Sequence, residues 1–452
     1  MRLTGSLARA AYSAATWFAQ PLLRRKLRRR AITEPGYGEA VEERFGRYSA
    51  ELAQWVGTAG GPIVWVHAVS LGETRAAAVL ITALRERLPG MRLLLTHGTA
   101  TGRAEGLRLL QEGDRQVWQP WDTPGAVRCF LRTFKPALGL LMETEVWPNL
   151  VAGCRAQGVP LALANARLNA RSLRQAQRLA VLSRAAYGDL AAVWAQTPDD
   201  AERLRALGAP VRGVFGNLKF DAKPDATQLA RGQQLRAQAG RPVLLFASSR
   251  EGEEAMWLQA LQKFKENMPL AQSQPGLLAI NNVVQWLLVP RHPQRFDAVE
   301  RLLLEQGIAV SRRSTWQDGV PPPGNTVWLG NSLGEMAAYY AMADVALLGG
   351  SFAPLGGQNL IEAAACGCPV VMGPSTFNFS EAATLAEAAG AALRVADMAD
   401  AVLQATELAL DAPRQQTTAN AATAFAAAHR GAAARTADAA LALLRVQKPT
   451  AR

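Results

Sequence analysis

Short apolar runs alternate with helical patterns along most of this chain, and this alternation limits the possible folds more than any other feature. The runs lie at residues 63–66, 91–95, 137–142, 161–164, 191–195, 243–246, 286–289, 327–329, 345–348 and 370–372. Strands that are buried on both faces are apolar throughout and are joined by helices, so the pattern is typical of parallel sheets covered by helices. The sequence therefore predicts an α/β protein with doubly wound sheets.

The length of the chain, 452 residues, predicts more than one domain. A polar stretch from Ala222 to Gly240 interrupts the alternation and divides the runs into two sets. The predicted bounds are an N-terminal helix over 1–33, a Rossmann-like domain over 34–222, a linker over 223–240 and a second Rossmann-like domain with C-terminal helices over 241–452. Because ligands bind beyond the carboxyl ends of the strands in such sheets, we expect the functional residues there, in a cleft between the domains.

Most of the net positive charge lies at the N-terminus. The formal net charge is +12, and residues 1–30 contribute seven Arg and one Lys without any acidic residue. An uncharged run from Ala10 to Leu23 precedes the basic cluster Arg24–Arg30. This run is too short to span a bilayer unaided, so the pattern favours a helix in the membrane interface with its cationic end on anionic headgroups. A short anchor and a helix packed on the body of the protein stay open as alternatives.

The rest of the composition excludes several classes of function. The remaining residues are nearly neutral, which argues against a protein coated in positive charge to bind nucleic acid. Four scattered cysteines form no disulfide framework, which suits a reducing cytosol. The sequence has no Asp-x-Asp motif and no cluster of metal ligands, so we predict no metal and no cofactor. It also lacks a P-loop and a Gly-x-Gly-x-x-Gly motif.

One strand-to-helix loop points to a nucleotide. Ser351–Gly357 connects the apolar strand Val345–Leu348 to the apolar helix Asn359–Ala365. Two glycines just before a helix let the backbone approach a ligand, which the free N–H groups of the helix then face. Glu362, a few residues into the helix, can reach the hydroxyls of a ribose. On this stretch alone, an ordinary strand-to-helix connection is an equally good interpretation.

Glu73 is a candidate base in the first domain, and a purely structural role is also open. It lies at the first turn of a helix predicted over Glu73–Leu88, after a strand that ends near His67. A carboxylate in that place can deprotonate a hydroxyl nucleophile. The spacing Ser70-x-x-Glu73 is also that of a capping box, and a helix N-terminus would lower the pKa of the carboxyl group and weaken it as a base. From spacing alone, the capping role is favoured.

Other polar groups follow the other predicted strands. Glu143 and Glu145 are two residues apart on a segment predicted to be extended, so their carboxylates would point the same way and one can pair with a nearby Arg. Lys219, near the end of the first domain, can neutralise a leaving phosphate. In the second domain, Arg291 and its neighbours form a stiff cationic turn between two prolines, which suits a phosphate. Gly330–Glu335 begins another helix with the spacing of a capping box.

Taken together, these motifs resemble those of a known family. They lie at residues 67–73, 143–149, 164–168 and 218–221 in the first half, and at 289–293 and 356–359 in the second. They resemble the 3-deoxy-D-manno-octulosonic acid (Kdo) transferases, which are glycosyltransferases of lipopolysaccharide core synthesis. The resemblance extends from the N-terminal segment to beyond Phe379.

The resemblance implies the GT-B architecture, in which two Rossmann-like domains face each other across a cleft and the C-terminal one binds the donor. It implies an inverting, metal-independent transfer of Kdo from CMP-Kdo to the lipid A precursor, lipid IVA. The reaction would take place at the cytoplasmic side of the inner membrane. The implied partners are these two substrates and the anionic membrane surface, and they include no nucleic acid.

The resemblance also implies roles for individual residues. Glu73 matches the general base of the family, which favours catalysis for this residue and leaves capping as a second duty. Glu143 and Lys219 match residues that are thought to stabilise the transition state. The segments that match the CMP-binding segments of the family contain Pro290, Arg291, Leu333, Gly334, Glu335, Asn359, Leu360, Ile361 and Glu362.

The sequence departs from the family pattern at a few positions, and two rival functions stay open. Gln358 and Arg250 stand where relatives often have His, and Asn217 replaces a frequent Ser. Since Gln cannot titrate, no acid role is assigned to Gln358. The first rival is a GT-B glycosyltransferase with a different nucleotide-sugar donor or acceptor, such as a UDP-sugar and a soluble acceptor. The second is a membrane-bound lipid- or nucleotide-binding protein that forms no product.

Overall fold

Two seven-stranded parallel sheets form the centres of two separate units in a computed structural model. It describes residues 2–57, 60–267, 283–317, 320–321 and 326–446. Unit 1 is Met1–Asp221 with Arg430–Arg452, and unit 2 is Ala222–His429. The prediction of two α/β domains with parallel sheets is therefore confirmed.

The strand order of unit 1 reverses between its first and fourth strands. Its strands are β1 (Ile63–His67), β2 (Arg92–His97), β3 (Arg115–Trp118), β4 (Leu138–Met142), β5 (Leu161–Ala166), β6 (Ala192–Ala195) and β7 (Val211–Val214). They lie in the order β3-β2-β1-β4-β5-β6-β7, and every neighbouring pair is parallel. The crevice beside β1 and β4, where the order reverses, is the place at which such sheets bind ligands.

Helices pack on both faces of the unit 1 sheet. They are α1 (Arg2–Phe18), α2 (Gln20–Thr33), α3 (Ala50–Trp55), α4 (Leu71–Arg87), α5 (Ala100–Gly106), α6 (Pro124–Phe134), α7 (Pro148–Ala156), α8 (Ala170–Arg178), α9 (Ala180–Gly188) and α10 (Pro198–Ala206). Successive side chains of a strand point to opposite faces, so Trp65 joins one buried apolar cluster and Val64 and Val66 join the other. Both faces of β1 are thus removed from water.

Unit 2 repeats this plan. Its strands are β8 (Val243–Ser249), β9 (Gln285–Pro290), β10 (Val310–Arg312), β11 (Val327–Leu329), β12 (Val345–Leu348), β13 (Val370–Met372) and β14 (Ala392–Arg394). Their order is β10-β11-β9-β8-β12-β13-β14, so the reversal lies between β8 and β12. Its helices are α11 (Ala226–Gln238), α12 (Glu253–Asn267), α13 (Phe296–Glu305), α14 (Met336–Met342), α15 (Leu360–Ala365), α16 (Ser380–Ala388), α17 (Met398–Leu410) and α18 (Ala412–Ala428).

The predicted domain bounds differ from these units in three places, the first being the N-terminal segment predicted over 1–33, which belongs to unit 1. The segment predicted as a linker, 223–240, contains α11, which packs on α14 within unit 2. Gly232 makes this contact possible, because a Cβ there would lie 2.3 Å from the carbonyl oxygen of Ala338. The last helix, α19 (Ala432–Val446), belongs to unit 1 although 241–452 was predicted as one domain. It packs on α4, and the Asp221 carboxylate accepts a hydrogen bond from the N–H of Ala433 (2.6 Å).

The N-terminal helix α1 packs on unit 1 against α7 and α9. Ser13 Oγ donates a hydrogen bond to Asn149 Oδ1 (2.8 Å), and Trp121 Nε1 donates one to the carbonyl oxygen of Thr16 (3.0 Å). Trp17 and Phe18, near the end of the helix, are exposed. Within the described ranges, the structure contains no helix that is both long and apolar enough to cross a membrane.

Candidate active site

The candidate catalytic carboxylates of unit 1 flank the reversal of its strand order. Glu73 lies in the first turn of α4, which follows β1, and Glu143 directly follows β4. Because β1 and β4 are parallel neighbours, both residues lie at the end of the sheet that is formed by the carboxyl ends of its strands. The structure therefore brings together two residues that are 70 positions apart in the chain.

The half-buried carboxylate of Glu73 is held at the start of α4. Its Oε2 accepts a hydrogen bond from the N–H of Val69 (2.8 Å), and its Oε1 accepts one from Ser70 Oγ (3.2 Å). Ser70 Oγ in turn accepts a hydrogen bond from the N–H of Glu73 (3.4 Å). The predicted capping role is confirmed, although the N–H that Glu73 satisfies is that of Val69 and not that of Ser70.

The pKa of Glu73 is raised to about 7, mainly because the carboxyl group is buried. The hydrogen bond from the N–H of Val69 opposes this shift, and the negative charges of Glu143 and Glu145 contribute to it. The predicted lowering is present as the effect of the hydrogen bond from the Val69 N–H, but the loss of solvation outweighs it, so the pKa of Glu73 is raised overall. A carboxylate with a pKa near the working pH is suited to general base catalysis. Both of the roles weighed for Glu73 from sequence are thus compatible with one geometry.

Two cations surround the buried carboxylate of Glu143, which is 3% exposed. Arg167 Nε lies 2.7 Å from Oε2, and Lys219 Nζ lies 3.7 Å from Oε1. The predicted pairing of a carboxylate with a nearby Arg is therefore confirmed. The predicted extended backbone is wrong, because Glu143 has a φ of +57°. The Glu145 carboxylate instead accepts a hydrogen bond from Trp147 Nε1 (2.9 Å).

Asn165 positions the segment that carries Lys219. This buried residue is the last but one of β5, and its backbone is left-handed with a φ of +52°. Its Oδ1 accepts a hydrogen bond from the N–H of Leu218 (3.0 Å), next to Lys219. Asn adopts a left-handed backbone more readily than most residues do. This preference is the property of the sequence that is consistent with the conformation at position 165.

A cavity of 190 Å³ shares residues with the surroundings of Glu73. Val69 and Glu145 are part of its wall, as are the cationic side chains Lys26, Arg30 and Arg44. Lys26 and Arg30 belong to α2, so the basic N-terminal segment contributes directly to this cavity. The cavity combines three cationic side chains and aromatic ones with the acidic Asp122 and Glu145, so a ligand with both anionic and hydrogen-bond-donating groups suits it.

In unit 2, the loop that was predicted to hold a nucleotide follows β12. Gly356 and Gly357 have φ values of +85° and +71°, a conformation that glycine adopts without a steric penalty. Asn359 caps α15, since its Oδ1 accepts a hydrogen bond from the N–H of Ile361 (3.2 Å). The side chains of Leu360 and Ile361 are buried, so these two residues can meet a ligand only through their backbone.

The other predicted nucleotide-binding residues lie on neighbouring strand ends of unit 2. Pro290 ends β9, and Arg291 follows it with an exposed side chain. Glu362, which is also exposed, and Arg291 act in opposite directions on the pKa of the buried Tyr340 hydroxyl, which burial itself raises. Arg291, which follows β9, and Glu362, in the helix that follows β12, therefore both lie close enough to the Tyr340 hydroxyl to affect its pKa.

The segment after β11 contains the remaining residues that were predicted to bind the nucleotide. Leu333 is 75% exposed, and Gly334 has a φ of +82°. Glu335 precedes α14 and pairs with Arg313, whose Nη2 lies 2.9 Å from Oε1. Ser332 Oγ also donates a hydrogen bond to the Glu335 carboxylate. Among the described residues, no group of three or more His, Cys, Asp or Glu side chains is arranged to hold a metal ion.

Comparisons with known proteins identify the family of the chain. A family model described as 3-deoxy-D-manno-octulosonic-acid transferase (kdotransferase) matches residues 39–222. The chain is 48% identical over 442 residues to the 3-deoxy-D-manno-octulosonic acid transferase of Bordetella pertussis, an alignment that covers 96% of this chain and 99% of the relative. The chain belongs to the family of 3-deoxy-D-manno-octulosonic acid transferases. It is therefore a glycosyltransferase, and the resemblance seen in the sequence motifs is confirmed.

Two further comparisons support the family and the fold. The 3-deoxy-D-manno-octulosonic acid transferase of Haemophilus influenzae is 31% identical over 407 residues, with 88% of this chain and 90% of the relative covered. The crystal structure of UDP-GlcNAc 2-epimerase from Neisseria meningitidis bound to UDP-GlcNAc is similar with a TM-score of 0.53 and 15% identity, covering 85% of this chain and 100% of that chain. The likeness to the epimerase concerns the fold alone, which is of the GT-B type.

Two buried carboxylates of this Kdo transferase family member were not predicted as site residues. Glu253 is fully buried at the start of α12 and accepts hydrogen bonds from the N–H groups of Arg250 (2.9 Å), Gly350 (2.7 Å), Phe352 (3.1 Å) and Ala353 (3.2 Å). It thereby ties the loop after β8 to the glycine-containing loop after β12. The only local signal is a position at a helix N-terminus, which many acidic residues share.

The second buried carboxylate, Glu254, organises the opposite side of the same region. It accepts two hydrogen bonds from Arg295, from Nη1 (2.8 Å) and from Nη2 (2.7 Å), and one from Ser249 Oγ (2.7 Å). Arg295 belongs to the cationic turn after β9, so this pair fixes that turn to the end of β8. Arg295 is therefore engaged within the protein.

Replacing Glu145 by Gln tests the electrostatic surroundings of Glu73. We expect the pKa of Glu73 to fall below about 7 and to stay above its ordinary value of 4.5, because burial remains the largest cause of the shift. The measurement is an infrared titration of carboxyl groups, in which a Glu73→Gln variant identifies the signal. Glu86→Gln, at the distant end of the same helix, is the control and should leave the pKa of Glu73 unchanged. A wild-type Glu73 that titrates at its ordinary value would contradict this description.

Proposed function

We propose that the protein transfers Kdo from CMP-Kdo to the lipid A precursor lipid IVA, with inversion at the anomeric carbon. Kdo transfer in lipopolysaccharide biosynthesis follows from membership of the family. The observation that carries the assignment of the base is the half-buried Glu73 carboxylate, whose pKa is raised to about 7. What we propose beyond family membership is the identity of the acceptor, the inversion at the anomeric carbon and the roles of the individual residues.

In the proposed step, the acceptor is a sugar hydroxyl of lipid IVA. Glu73 takes the hydroxyl proton while the hydroxyl oxygen forms a bond to the anomeric carbon of Kdo. The bond between that carbon and the phosphate oxygen breaks, and CMP leaves with the electron pair. A base with a pKa near 7 is ionised at the working pH and still accepts a proton readily, which supports this role for Glu73.

Glu143 and Lys219 are proposed to stabilise the transition state. Two cations, Arg167 and Lys219, surround the single carboxylate of Glu143, so the group carries one excess positive charge. Such a charge favours the negative charge that develops on the departing phosphate. Because Glu143 is almost completely buried, we expect it to act by holding Lys219 and Arg167 in place.

Unit 2 is proposed to bind the CMP part of the donor. Arg291 would contact the phosphate, and Glu362 would accept hydrogen bonds from the ribose hydroxyls; both side chains are exposed. Asn359, Leu360 and Ile361 would contribute backbone groups at the start of α15. Pro290 and the segment Leu333–Glu335 would line the rest of the site, at the ends of β9 and β11.

The N-terminal segment is proposed to hold the enzyme on the cytoplasmic face of the inner membrane. Exposed cations on α2, including Arg25, Arg28 and Arg29, suit an anionic lipid surface. The apolar side chains of Trp17 and Phe18 are exposed beside them, as expected for an interfacial helix. The 190 Å³ cavity lined by Lys26, Arg30 and Arg44 would receive the phosphorylated sugar of the acceptor.

The proposed function is tested with purified protein, CMP-Kdo and lipid IVA. We expect mass spectrometry to show the acceptor with added Kdo, and we expect CMP to inhibit the reaction while UDP does not. A lipid A precursor from which the proposed acceptor sugar has been removed is the matched control and should give no product. Absence of product with lipid IVA, or inhibition by UDP as strong as by CMP, would contradict the proposal.

The Glu253→Gln substitution tests the proposed donor site. Gln has a single acceptor oxygen, so we expect the loops after β8 and β12 to lose their common anchor and CMP to bind at least about tenfold more weakly. Calorimetric titration with CMP measures the change, and thermal unfolding checks that the variant is folded. The control is Glu251→Gln, an exposed neighbour whose replacement should change the CMP affinity by less than about twofold. Equal CMP affinity in a folded Glu253→Gln variant and the wild type would exclude the anchoring role.

A further inference from the structure

A groove of 580 Å³ lies in unit 1 between α1, α6 and α7. This volume falls within the range of about 300–1,000 Å³ that is usual for small-molecule sites. The candidate active site uses none of the residues that line the groove. We refer to it as the α1–α6–α7 groove.

Small residues on α7 create the floor of the groove. Ala152, Gly153 and Ala156 line it and recur at helical spacing, so they share one face of α7. A Cβ at position 153 would lie 2.6 Å from Val127 Cγ1 on α6, so glycine permits the close approach of α6 and α7 there. The result is a depression beside α1 whose floor consists of small apolar residues.

Three arginines surround this depression. Arg9 comes from α1, and Arg128 and Arg132 come from successive turns of α6. The lining contains no acidic residue, and within the described part of the chain none of the three guanidinium groups forms an ion pair. The groove therefore has three positive charges that the surrounding protein does not neutralise, next to an apolar floor.

The position of the groove on α1 connects it with the proposed membrane surface. Ser6, Ala10 and Ser13 line the groove, and the exposed Trp17 continues the same helical stripe at the next turn. A ligand in the groove would thus lie beside the aromatic end of α1. Charge complementarity and the apolar floor together favour a phosphate group that carries a glycerol and acyl chains.

We propose that the α1–α6–α7 groove binds the phosphate headgroup of one anionic glycerophospholipid, through Arg9, Arg128 and Arg132. The inference rests on the proposed membrane association of the N-terminal segment and adds a defined lipid site to it. Phosphate is a good partner for arginine because the guanidinium fork donates two parallel hydrogen bonds. The bound lipid would hold α1 at the membrane in one orientation.

Native mass spectrometry of the full chain in a neutral detergent tests the proposal with dioctanoyl phosphatidylglycerol as the probe. We expect the wild type to retain one lipid, and we expect the variant Arg9→Gln/Arg128→Gln/Arg132→Gln to bind it at least about tenfold more weakly. The matched control is Arg171→Gln/Arg174→Gln/Arg178→Gln, which removes the same charge from exposed positions of α8 and should retain the lipid. Equal loss in both triple variants, or loss in neither, would overturn the proposal.

A second variant separates the groove from charge alone. Ala152→Phe keeps every charge and fills the floor, so we expect it to weaken lipid retention as the groove arginine variant does. We expect dioctanoyl phosphatidylcholine and inorganic phosphate to bind more weakly than dioctanoyl phosphatidylglycerol; equal binding of either would overturn a site for an anionic lipid. The lipid-binding experiment does not measure turnover. A negative lipid-binding result would therefore leave the proposal of Kdo transfer intact, and an absence of Kdo transfer would not change the lipid-binding result.

Discussion

The buried carboxylate of Glu143, with the two cations around it, is the interaction on which the candidate active site of unit 1 depends. It joins the ends of three parts of unit 1, since Glu143 follows β4, Arg167 follows β5 and Lys219 follows β7. Removing the cations from around this buried carboxylate would leave its charge uncompensated and be strongly destabilising, so the three residues act as one group. The fixed charge of Glu143 also helps to keep the pKa of Glu73 high.

Unit 2 also contains a deeply buried carboxylate near its strand reversal, and a different set of partners stabilises it. Glu253 is as deeply buried as Glu143, but backbone N–H groups surround it instead of cations. Four N–H groups stabilise the single negative charge of Glu253, and the same hydrogen bonds fix the shape of two loops at the strand reversal. The excess charge of unit 1 is suited to chemistry at a phosphate, and the ordered loops of unit 2 are suited to holding a nucleotide.

The sequence predicted the interior of both sheets and missed their edges. The ten predicted strands are the inner ones, whereas β3, β7, β10 and β14 are the four edge strands. Edge strands are partly exposed, and segments such as Val211–Val214 mix polar with apolar residues, so they do not form apolar runs. The position of Glu73 was predictable from its motif. Its pKa was not, because the burial of the carboxyl group and its distance from the charges of Glu143 and Glu145 both depend on distant parts of the chain.

The rate of a single turnover in a Glu73→Gln variant tests the central claim most directly. Gln keeps the size of the side chain and cannot accept the proton, so Kdo transfer from bound CMP-Kdo to lipid IVA should slow by about 10²–10⁴-fold. The affinity for CMP should remain within about twofold of the wild type, because Glu73 is proposed to act on the acceptor hydroxyl and not to bind CMP. A variant that transfers Kdo within about tenfold of the wild-type rate would contradict the assignment of Glu73 as the base.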